Sequence, residues 1–520
     1  MTFRRNARRL KNKTALIFPA PGGGVFQYTW EAFNQAINRV ANGLLSIGIE
    51  KGDTVSIYSL NCPQFLFLFY GLVKIGACVS PVNVTFTNDD MRFVVENSKA
   101  KMLFIEDTFI NQVWDALPKM QNISYGYIGN TGAKAKPDGW VDLGEMLDQQ
   151  PDTEPEVSIH IDDVASVTYT SGTESLPKGV MLTHGNYYAA ASAVHSGNYL
   201  DVREDDIGLQ ALPLFYTGGV AVATFALMIG STVTLLYMPD ADNIANLMDT
   251  YKTTYTVLPP TLYNRLLQVE GIEDKAKSLR KCVSFGATIP EQMIVDWNKI
   301  APQIDWISLY ASSELSALGT SGCFKSIGEI PEGDMNWTGK PAPMLEMRIV
   351  DVYGQDVPAG ENGEMVFRGP AVMKGYFENE DKNKEIFKDG WFHSGDIGRI
   401  NEDGEVFFVD RIKDMVKSGG ENISSAGIEF VVGTYPKVAE CAAFGVPHPD
   451  WMEALTVAII PKSGETVQAE EIVAYCKTKL PRFKVPKYVL IVNEFPRNPT
   501  GKLLKKELRR IYKDLALPEE

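Results

Sequence analysis

The feature that most constrains the fold is the alternation of short apolar runs with helical segments through the first 310 residues. Residues 30–47 carry apolar side chains at helical spacing, and further helices are predicted at 63–75, after His184, and at 241–251, 260–268 and 290–300. The helical face predicted within 30–47 comprises Phe33, Ile37, Val40, Ala41, Leu44 and Leu45. The apolar runs lie at 54–59, 78–82, 166–170, 208–212, 232–237, 255–258, 281–285 and 306–310. Because such runs lack polar alternation, they predict parallel sheets whose two faces are covered by helices.

The sequence changes character after Ser326. Turn dipeptides separate short strands predicted at 346–351, 364–369 and 405–410, a pattern typical of a mostly antiparallel, β-rich region. Beyond Arg411 a strand–helix–strand pattern runs to the C-terminus, and a chain of 520 residues exceeds the size of one hydrophobic core. We therefore predict an α/β fold in two domains. Residues 1–412 form a large region of two parallel-type sheets plus a β-rich subdomain, and residues 413–520 form a small, mobile α+β domain.

Charge and cysteine content argue against several classes of protein. The net charge of −15 disfavours nucleic acid as a partner, because phosphate contacts need a basic surface. The six cysteines form no CxxC pair and the five histidines lack zinc-ligand spacing. No apolar segment follows the charged start, so no secretory signal is predicted. These observations predict a cytoplasmic protein without disulfides or zinc.

Two stretches raise the question of membrane contact. The basic residues at 4–13 predict a solvated first helix or, alternatively, a peripheral contact with an anionic membrane. Residues 218–238 carry no charge and are long enough to cross a bilayer, but Gly230 divides them into a helix and a β-branched strand. We therefore predict a helix–turn–strand unit there and no membrane span.

Residues 168–186, TYTSGTESLPKGVMLTHGN, gather glycines, hydroxyl side chains and Lys178 between two apolar runs. Glycines let backbone N–H groups approach an anion, and a lysine adds positive charge, so the stretch is typical of a phosphate-binding loop. An ordinary polar surface loop has a similar composition. The stretch is not a Walker A loop, because Pro177 stands where that motif needs glycine.

Further short motifs follow in order along the chain. They are SFGATIP (284–290), LYASSELS (309–316), GWFHSGDIG (390–398), DRIKDMVKSGGEN (410–422) and PRNPTGKLLKKELR (496–509). In this order and at these separations they resemble the AMP-forming adenylating enzymes, the superfamily of acyl-CoA synthetases, peptide-synthetase adenylation domains and luciferases. The resemblance extends from Trp30 to Lys502.

This resemblance implies that ATP is a substrate and assigns the residues that bind it. Lys502 and Glu314 would be catalytic: Lys502 would offset charge at the α-phosphate, and Glu314 would hold Mg²⁺ together with Thr173. Asp396 would accept hydrogen bonds from the ribose hydroxyls. Glu174 departs from the family pattern and either helps to recruit Mg²⁺ or faces solvent. The other nucleotide-binding residues implied are Thr170, Ser171, Gly172, Thr173 and Lys178 at the phosphates, Gly286, Ala287 and Tyr310 at the adenine, and Ser313 and Arg411.

The resemblance also implies a mobile small domain that pivots at Lys413 and presents Gly419 and Gly420 to the pantetheine of coenzyme A. Tyr216 stands where the family usually has histidine, and Gly427 stands where it usually has an acid. The acyl pocket would be lined by Tyr216, Gly218, Gly219, Ser284 and Phe285. These mostly small or apolar side chains suit a fatty, alicyclic or aromatic acid.

The implied reaction has two steps. A carboxylic acid and MgATP give an acyl-adenylate and pyrophosphate, and CoA then displaces AMP. A stand-alone enzyme that loads the phosphopantetheine of a carrier protein is the alternative. A non-catalytic nucleotide sensor is disfavoured by the presence of Glu314 and Lys502, and a kinase by the lack of Walker and kinase motifs. The sequence leaves open whether the enzyme is a monomer or a homodimer.

Overall fold

A computed structural model describes residues 2–170, 176–195, 200–497 and 503–515. The chain divides into two compact units. The first comprises Met1–Met347 and Phe367–Phe392, and the second comprises Arg348–Val366 and His393–Glu520. The predicted boundary between residues 412 and 413 falls inside the second unit and stays a prediction.

One sheet of the first unit has eight strands. Their order is Gly375–Tyr376, Lys178–Thr183, Val164–Thr170, Cys78–Pro81, Thr54–Tyr58, Ala100–Glu106, Ser124–Ile128 and Val141–Asp142. The pairings from Val164–Thr170 to Val141–Asp142 are parallel, whereas the first two strands pair antiparallel.

The other sheet of the first unit also has a parallel centre. Its strands run in the order Val25–Thr29, Thr14–Pro19, Thr232–Leu235, Ile207–Gln210, Tyr255–Leu258, Lys281–Phe285, Asp305–Ala311, Gly319–Phe324 and Trp337–Pro341. The five pairings from Thr14–Pro19 to Asp305–Ala311 are parallel, and the flanking pairings are antiparallel. The predicted parallel α/β region is thus confirmed, and the change to antiparallel pairing begins slightly before the predicted position at Ser326.

Helices flank these strands in the chain. They span Thr2–Arg9, Trp30–Ser46, Pro63–Lys74, Asn88–Asn97, Ile110–Val113, Leu143–Gln149, His184–His195, Thr217–Ile229, Ala241–Tyr251, Pro260–Leu266, Ile272–Lys275, Glu291–Ile300 and Glu380–Ile386. In Trp30–Ser46 the predicted face is buried except for Leu45, which is 37% exposed. Leu45 lies in the last turn of the helix, next to residues 46–48, which are also exposed. Its predicted place on the buried face is therefore wrong.

The uncharged stretch at 218–238 folds as predicted, with helix Thr217–Ile229 ending at Gly230 in a left-handed conformation before strand Thr232–Leu235. Among the described residues, no helix has the length and apolarity needed to cross a membrane. The basic N-terminal segment forms helix Thr2–Arg9. Asn6 Nδ2 donates to Leu227 O at 2.9 Å, so this helix caps carbonyl groups at the end of Thr217–Ile229.

The second unit contains the end of the chain. Three strands straddle the division between the units, Glu346–Val350, Gly363–Arg368 and Trp391–Ile400, and Val406–Arg411 pairs with the last of them. A further sheet has the order Glu421–Ile423, Val416–Ser418, Met452–Pro461 and Val438–His448, with Tyr488–Ile491 also beside Met452–Pro461. Its helices are Ser425–Gly433, Ala469–Lys479 and Lys505–Ile511. These elements form the predicted small α+β region.

Candidate functional site

The two arms of the predicted phosphate loop form an antiparallel pair. Thr170 ends strand Val164–Thr170, Lys178 begins strand Lys178–Thr183, and the two residues face each other in the register. Close packing explains the glycine beside Lys178, because a Cβ atom on Gly179 would lie 2.7 Å from Val167 Cγ1. The other predicted loop residues, Ser171, Gly172, Thr173 and Glu174, lie outside the described residues. The structure therefore fixes where the loop starts and ends.

Glu314 is held by a tyrosine that the sequence did not reveal. Strand Asp305–Ala311 is followed by a single 3₁₀ turn, Ser313–Leu315, which contains Glu314. Tyr376 donates its hydroxyl hydrogen to Glu314 Oε1 at 2.8 Å. The ammonium of Lys178 lies 5.8 Å from the centre of the same ring. In this cluster the ammonium of Lys178 and the carboxylate of Glu314 both contact the phenol of Tyr376, at the point where the predicted phosphate loop ends.

Backbone contacts fix the same turn. Met373 N donates to Glu314 O at 2.8 Å, and Ser316 Oγ donates to Ala371 O at 2.7 Å. Ser316 has a positive φ of 57°, which turns the chain back after the 3₁₀ segment. The predicted site residue Ser313 begins this turn and is half-buried. Glu314 is therefore positioned by residues 371–376, about sixty positions further along the chain.

The predicted adenine-binding residues lie at the ends of two neighbouring parallel strands. Phe285 pairs with Leu309, so Gly286 and Tyr310 follow at adjacent positions. Gly286 is exposed with φ of 80°, and Ala287 is also exposed. The Tyr310 ring stacks on Phe367 with centroids 6.1 Å apart and planes 14° apart. The carboxyl ends of parallel strands are where α/β sheets usually bind ligands.

The residues predicted to line the acyl pocket come from two places. Tyr216 precedes helix Thr217–Ile229, and its hydroxyl accepts a hydrogen bond from Asn83 Nδ2 at 2.9 Å. A Cβ atom on Gly219 would lie 2.0 Å from Pro213 O, so close packing at the start of this helix already requires glycine. Ser284 and Phe285 end strand Lys281–Phe285.

The hydroxyl of Ser284 is buried and has no hydrogen-bond partner among the described residues. Phe285 is half-buried. The sequence did not point to Asn83 as the partner of Tyr216, because the two residues lie more than 130 positions apart in the chain.

In the second unit, Asp396 and Arg411 face each other across strands Trp391–Ile400 and Val406–Arg411. Arg411 Nε lies 3.7 Å from Asp396 Oδ1, and the Asp396 side chain is 14% exposed. A carboxylate beside a guanidinium, with part of its surface open, suits a site that binds a diol.

The turn before Asp396 is anchored by Glu364, which sequence reasoning missed. One Glu364 oxygen accepts from Gly395 N at 3.0 Å, and the other contacts His393 Nδ1 at 2.8 Å. Gly395 has φ of 74°, which favours glycine there. Glu364 thus fixes the backbone that presents Asp396.

Gly419 and Gly420 form the turn between strands Val416–Ser418 and Glu421–Ile423. Their φ values of 61° and 86° match a two-residue hairpin turn that favours glycine, so local geometry alone explains both residues. Gly419 N donates to Trp451 O at 3.0 Å. The Trp451 ring stacks on His448 at 4.1 Å and lies 4.3 Å from the ammonium of Lys487.

Lys413 lies in a hydrogen-bonded turn, in which Asp414 N donates to Arg411 O at 2.9 Å. Arg509, on helix Lys505–Ile511, donates to Lys413 O at 2.8 Å. Lys502 lies outside the described residues. Lys505, three positions further on, pairs with Glu429 at 2.8 Å, and burial raises the pKa of Glu429.

These features place candidate nucleotide-binding residues at the carboxyl ends of parallel strands, an arrangement typical of nucleotide-binding enzymes. Comparison with known proteins identifies the family of the chain. Residues 3–377 match the AMP-binding enzyme family, and residues 427–502 match the AMP-binding enzyme C-terminal domain. The chain belongs to this family.

Similar proteins and solved structures support the same family assignment. The chain is 32% identical over 511 residues to crotonobetaine/carnitine–CoA ligase of Citrobacter koseri, with 96% of each chain covered. ATP-bound MatB from Rhodopseudomonas palustris is similar with 27% identity, a TM-score of 0.87 and 99% of both chains covered. The anthranilate CoA ligase AuaEII bound to anthranoyl-AMP is similar with 26% identity and a TM-score of 0.88, over 99% of this chain and 97% of that chain. The protein is an AMP-forming acyl-CoA ligase, a class whose co-substrates are ATP and CoA.

Proposed function

We propose that this enzyme activates a fatty, alicyclic or aromatic carboxylic acid with MgATP and transfers the acyl group to CoA. The observation that supports this choice of acid is the uncharged character of the candidate acyl pocket. Tyr216, Gly219, Ser284 and Phe285 offer one phenol, one buried hydroxyl and apolar surface, but no charged group. A pocket of this kind favours an acid with an uncharged body, since an unpaired charge is costly to bury.

In the first half-reaction, a carboxylate oxygen of the acid attacks the α-phosphorus of ATP, and pyrophosphate leaves. Two anions approach each other, so the transition state needs positive charge held in place beforehand. Lys178 would contact the phosphates from the start of its strand, and Lys502 would offset charge at the α-phosphate. Asp396 would accept the ribose hydroxyl hydrogens, with its backbone held by Glu364.

Mg²⁺ fits the residues that surround Glu314. This cation prefers hard oxygen ligands and is commonly bound by one or two carboxylates together with substrate phosphates. Within the described ranges no group of three or more His, Cys, Asp or Glu side chains could hold a metal by itself. Glu314 supplies a carboxylate oriented by Tyr376, and Thr173 would add a hydroxyl. The bound ion would supply neutralising charge at the phosphates.

In the second half-reaction, the CoA thiolate attacks the acyl carbonyl carbon and AMP leaves. A net charge of −15 repels a polyanion such as CoA at long range, so local cations are needed. The small α+β region has a cleft of about 470 Å³ lined by Lys477, Arg482 and Lys487 among apolar side chains. Lys487 also lies against Trp451, whose carbonyl is bonded to Gly419. These cations support CoA as the acceptor.

The test is a pyrophosphate-release screen over neutral-bodied aliphatic and aromatic acids of several lengths, anthranilate among them, with o-succinylbenzoate and carnitine as contrasting charged substrates. Each acid is assayed with ATP and Mg²⁺, with and without CoA. Turnover is expected with an aliphatic or aromatic monocarboxylate and should rise with CoA. Preference for carnitine, or acyl transfer only to a carrier-bound phosphopantetheine, would contradict the proposal.

A variant pair tests the catalytic assignment. Lys502→Ala should slow acyl-adenylate formation by about two to four decades, the scale for one preorganised charge, and leave thioester formation from a supplied acyl-adenylate near the wild-type rate. Lys506→Ala is the matched control, because Lys506 is an exposed lysine four residues away. Equal loss of both half-reactions in Lys502→Ala would overturn the role of this lysine.

A further inference from the structure

We propose that Asp410 is a positioning residue for acyl-adenylate formation. Its buried carboxylate ties the strand before the predicted hinge to the helix after it, and so favours the arrangement needed for the first half-reaction. This inference rests on the proposed function and on the pivot at Lys413.

The Asp410 carboxylate is surrounded by donors. Asp410 is buried, with 3% of its surface exposed. Oδ2 accepts from Ser425 N at 2.6 Å, from Ser425 Oγ at 2.7 Å and from Ala426 N at 3.3 Å. Oδ1 accepts from Arg411 N at 2.7 Å. Three of the four bonds therefore join a residue before Lys413 to residues after it.

A second link crosses the same point. Ser424 Oγ donates to Val409 O at 2.9 Å. Ser424 Oγ also accepts from Gly427 N at 3.1 Å and so already caps helix Ser425–Gly433. Because the helix has its own cap, the bonds from Asp410 are not required to start it. Their distinct effect is to hold the helix against strand Val406–Arg411.

Rotation about Lys413 would break these links. Residues 409 and 410 would stay with strand Val406–Arg411, whereas residues 424–426 would move with the small domain. A carboxylate at the start of a helix is favoured by charge-assisted hydrogen bonds and by the helix dipole. If Asp410 and the helix separate, these hydrogen bonds and the dipole interaction are lost. The bonds therefore stabilise the arrangement of the enzyme in which they are made.

Lys505 indicates which half-reaction this arrangement serves. Its ammonium donates to Ser425 Oγ at 2.6 Å and pairs with Glu429. Asp410 and Lys505 therefore share Ser425 Oγ, and Lys505 is three residues from Lys502. Asp410 also adjoins Arg411, the proposed nucleotide ligand. The network thus brings the segment that follows the catalytic lysine next to the nucleotide-binding strand, as acyl-adenylate formation requires.

The experiment measures the two half-reactions separately in Asp410→Asn. Asparagine keeps the shape of the side chain but loses the charge and one of the acceptor oxygens. We expect acyl-adenylate formation, measured as single-turnover pyrophosphate release, to fall about tenfold. Thioester formation from a supplied acyl-adenylate should be unchanged or faster. Ser425→Ala, which removes one of the donors, should shift the ratio of the two rates in the same direction by a smaller factor.

Glu471→Gln is the matched control for stability. Glu471 bonds to Tyr435 and Lys437, so its loss weakens the small region without breaking a link across Lys413. It should leave the ratio of the two rates unchanged. If Asp410→Asn is too unstable to assay, the ratio of the two half-reaction rates in Ser425→Ala tests the proposal instead. An unchanged ratio in the Asp410 and Ser425 variants, or equal loss of both rates, would overturn the proposal.

The wild-type enzyme separates this proposal from the proposed function. If it releases no pyrophosphate with any acid, the proposed function fails before the variants are compared. If it completes both half-reactions and the variants keep the wild-type ratio, only the role of Asp410 fails.

Discussion

Asn83→Ala tests whether Tyr216 forms part of the acyl pocket. Asn83 is buried, and its Oδ1 accepts from Thr85 N at 3.0 Å and from Thr85 Oγ1 at 2.6 Å. These two donors fix the amide so that Nδ2 points to the Tyr216 hydroxyl. Alanine removes the amide that donates to the Tyr216 hydroxyl, so the ring before helix Thr217–Ile229 loses one of the hydrogen bonds that position it.

The size of the effect follows from the bond that is lost. A neutral hydrogen bond contributes about 0.5–1.5 kcal/mol net, which corresponds to a factor of about two to thirteen in an equilibrium constant. If the Tyr216 ring contacts the acid, the KM for the acid should rise by roughly two- to tenfold, and the ranking of acids of different width should change. The KM for ATP should stay constant, because among the described residues Asn83 hydrogen-bonds to Thr85 and Tyr216 and to no proposed nucleotide ligand.

The assay is initial-rate pyrophosphate release at saturating ATP with varied acid, for wild type, Asn83→Ala, Tyr216→Phe and the double variant. If Asn83 acts through the Tyr216 hydroxyl, the effects on acid KM should be non-additive, and the double variant should resemble either single one. Additive effects, or equal changes in the KM values for acid and ATP, would refute the reasoning. Thr85→Val should give a smaller change, since Thr85 N still donates to Asn83.

Three further predictions concern the nucleotide, the pivot and pH. Asp396→Asn should raise the KM for ATP without changing preference among acids, as initial-rate kinetics would show; an altered acid ranking would contradict the ribose role. Lys413→Pro fixes φ at the pivot near −65°, so acyl-adenylate formation should persist while thioester formation falls at least about tenfold. Thioester formation at the wild-type rate in this variant would show that Lys413 is not the pivot. Burial lowers the pKa of His184 and of His195 below the ordinary value of 6.5. At these two histidines the unfolded chain therefore binds more protons than the folded chain just below pH 6.5, so their contribution to the free energy of unfolding should fall as pH falls there. Urea unfolding at about pH 7.5 and 5.5 should show a smaller loss in His195→Gln, and an unchanged loss would exclude His195 as a contributor.

The sequence predicted the parallel strands and their helices closely. Tyr255–Leu258, Lys281–Phe285 and helix Ala241–Tyr251 lie where expected. Central parallel strands are buried on both faces, so their continuous apolar runs stand out from the amphipathic helices beside them. No strand was predicted at Thr14–Pro19 or Ala100–Glu106, although both strands are as buried as those that were predicted. Each follows a polar stretch without a strong turn dipeptide, so its start is poorly marked.

The motifs containing Gly286 and Tyr310 were placed correctly relative to the strands, whereas the partners that support the motif residues were not predicted. Gly286 and Tyr310 were expected at strand ends and lie there. Tyr376 could not be expected, because its place depends on the pairing of Gly375–Tyr376 with strand Lys178–Thr183, nearly two hundred residues earlier. A strand of two residues is too short to show a hydrophobic periodicity in the sequence.

The supporting partners share one physical role. The carboxylate of Glu314 is anchored by Tyr376, the backbone that presents Asp396 is anchored by Glu364, and the phenol of Tyr216 is anchored by Asn83. Each partner is at least thirty residues from the group it anchors and contacts it through a hydrogen bond of 2.8–3.0 Å. A short motif can specify which group is present, but its orientation depends on a partner that only the fold brings close. Preorganised groups stabilise charge without reorganising during a reaction, so in the proposed mechanism these partners would determine how well the motif residues act.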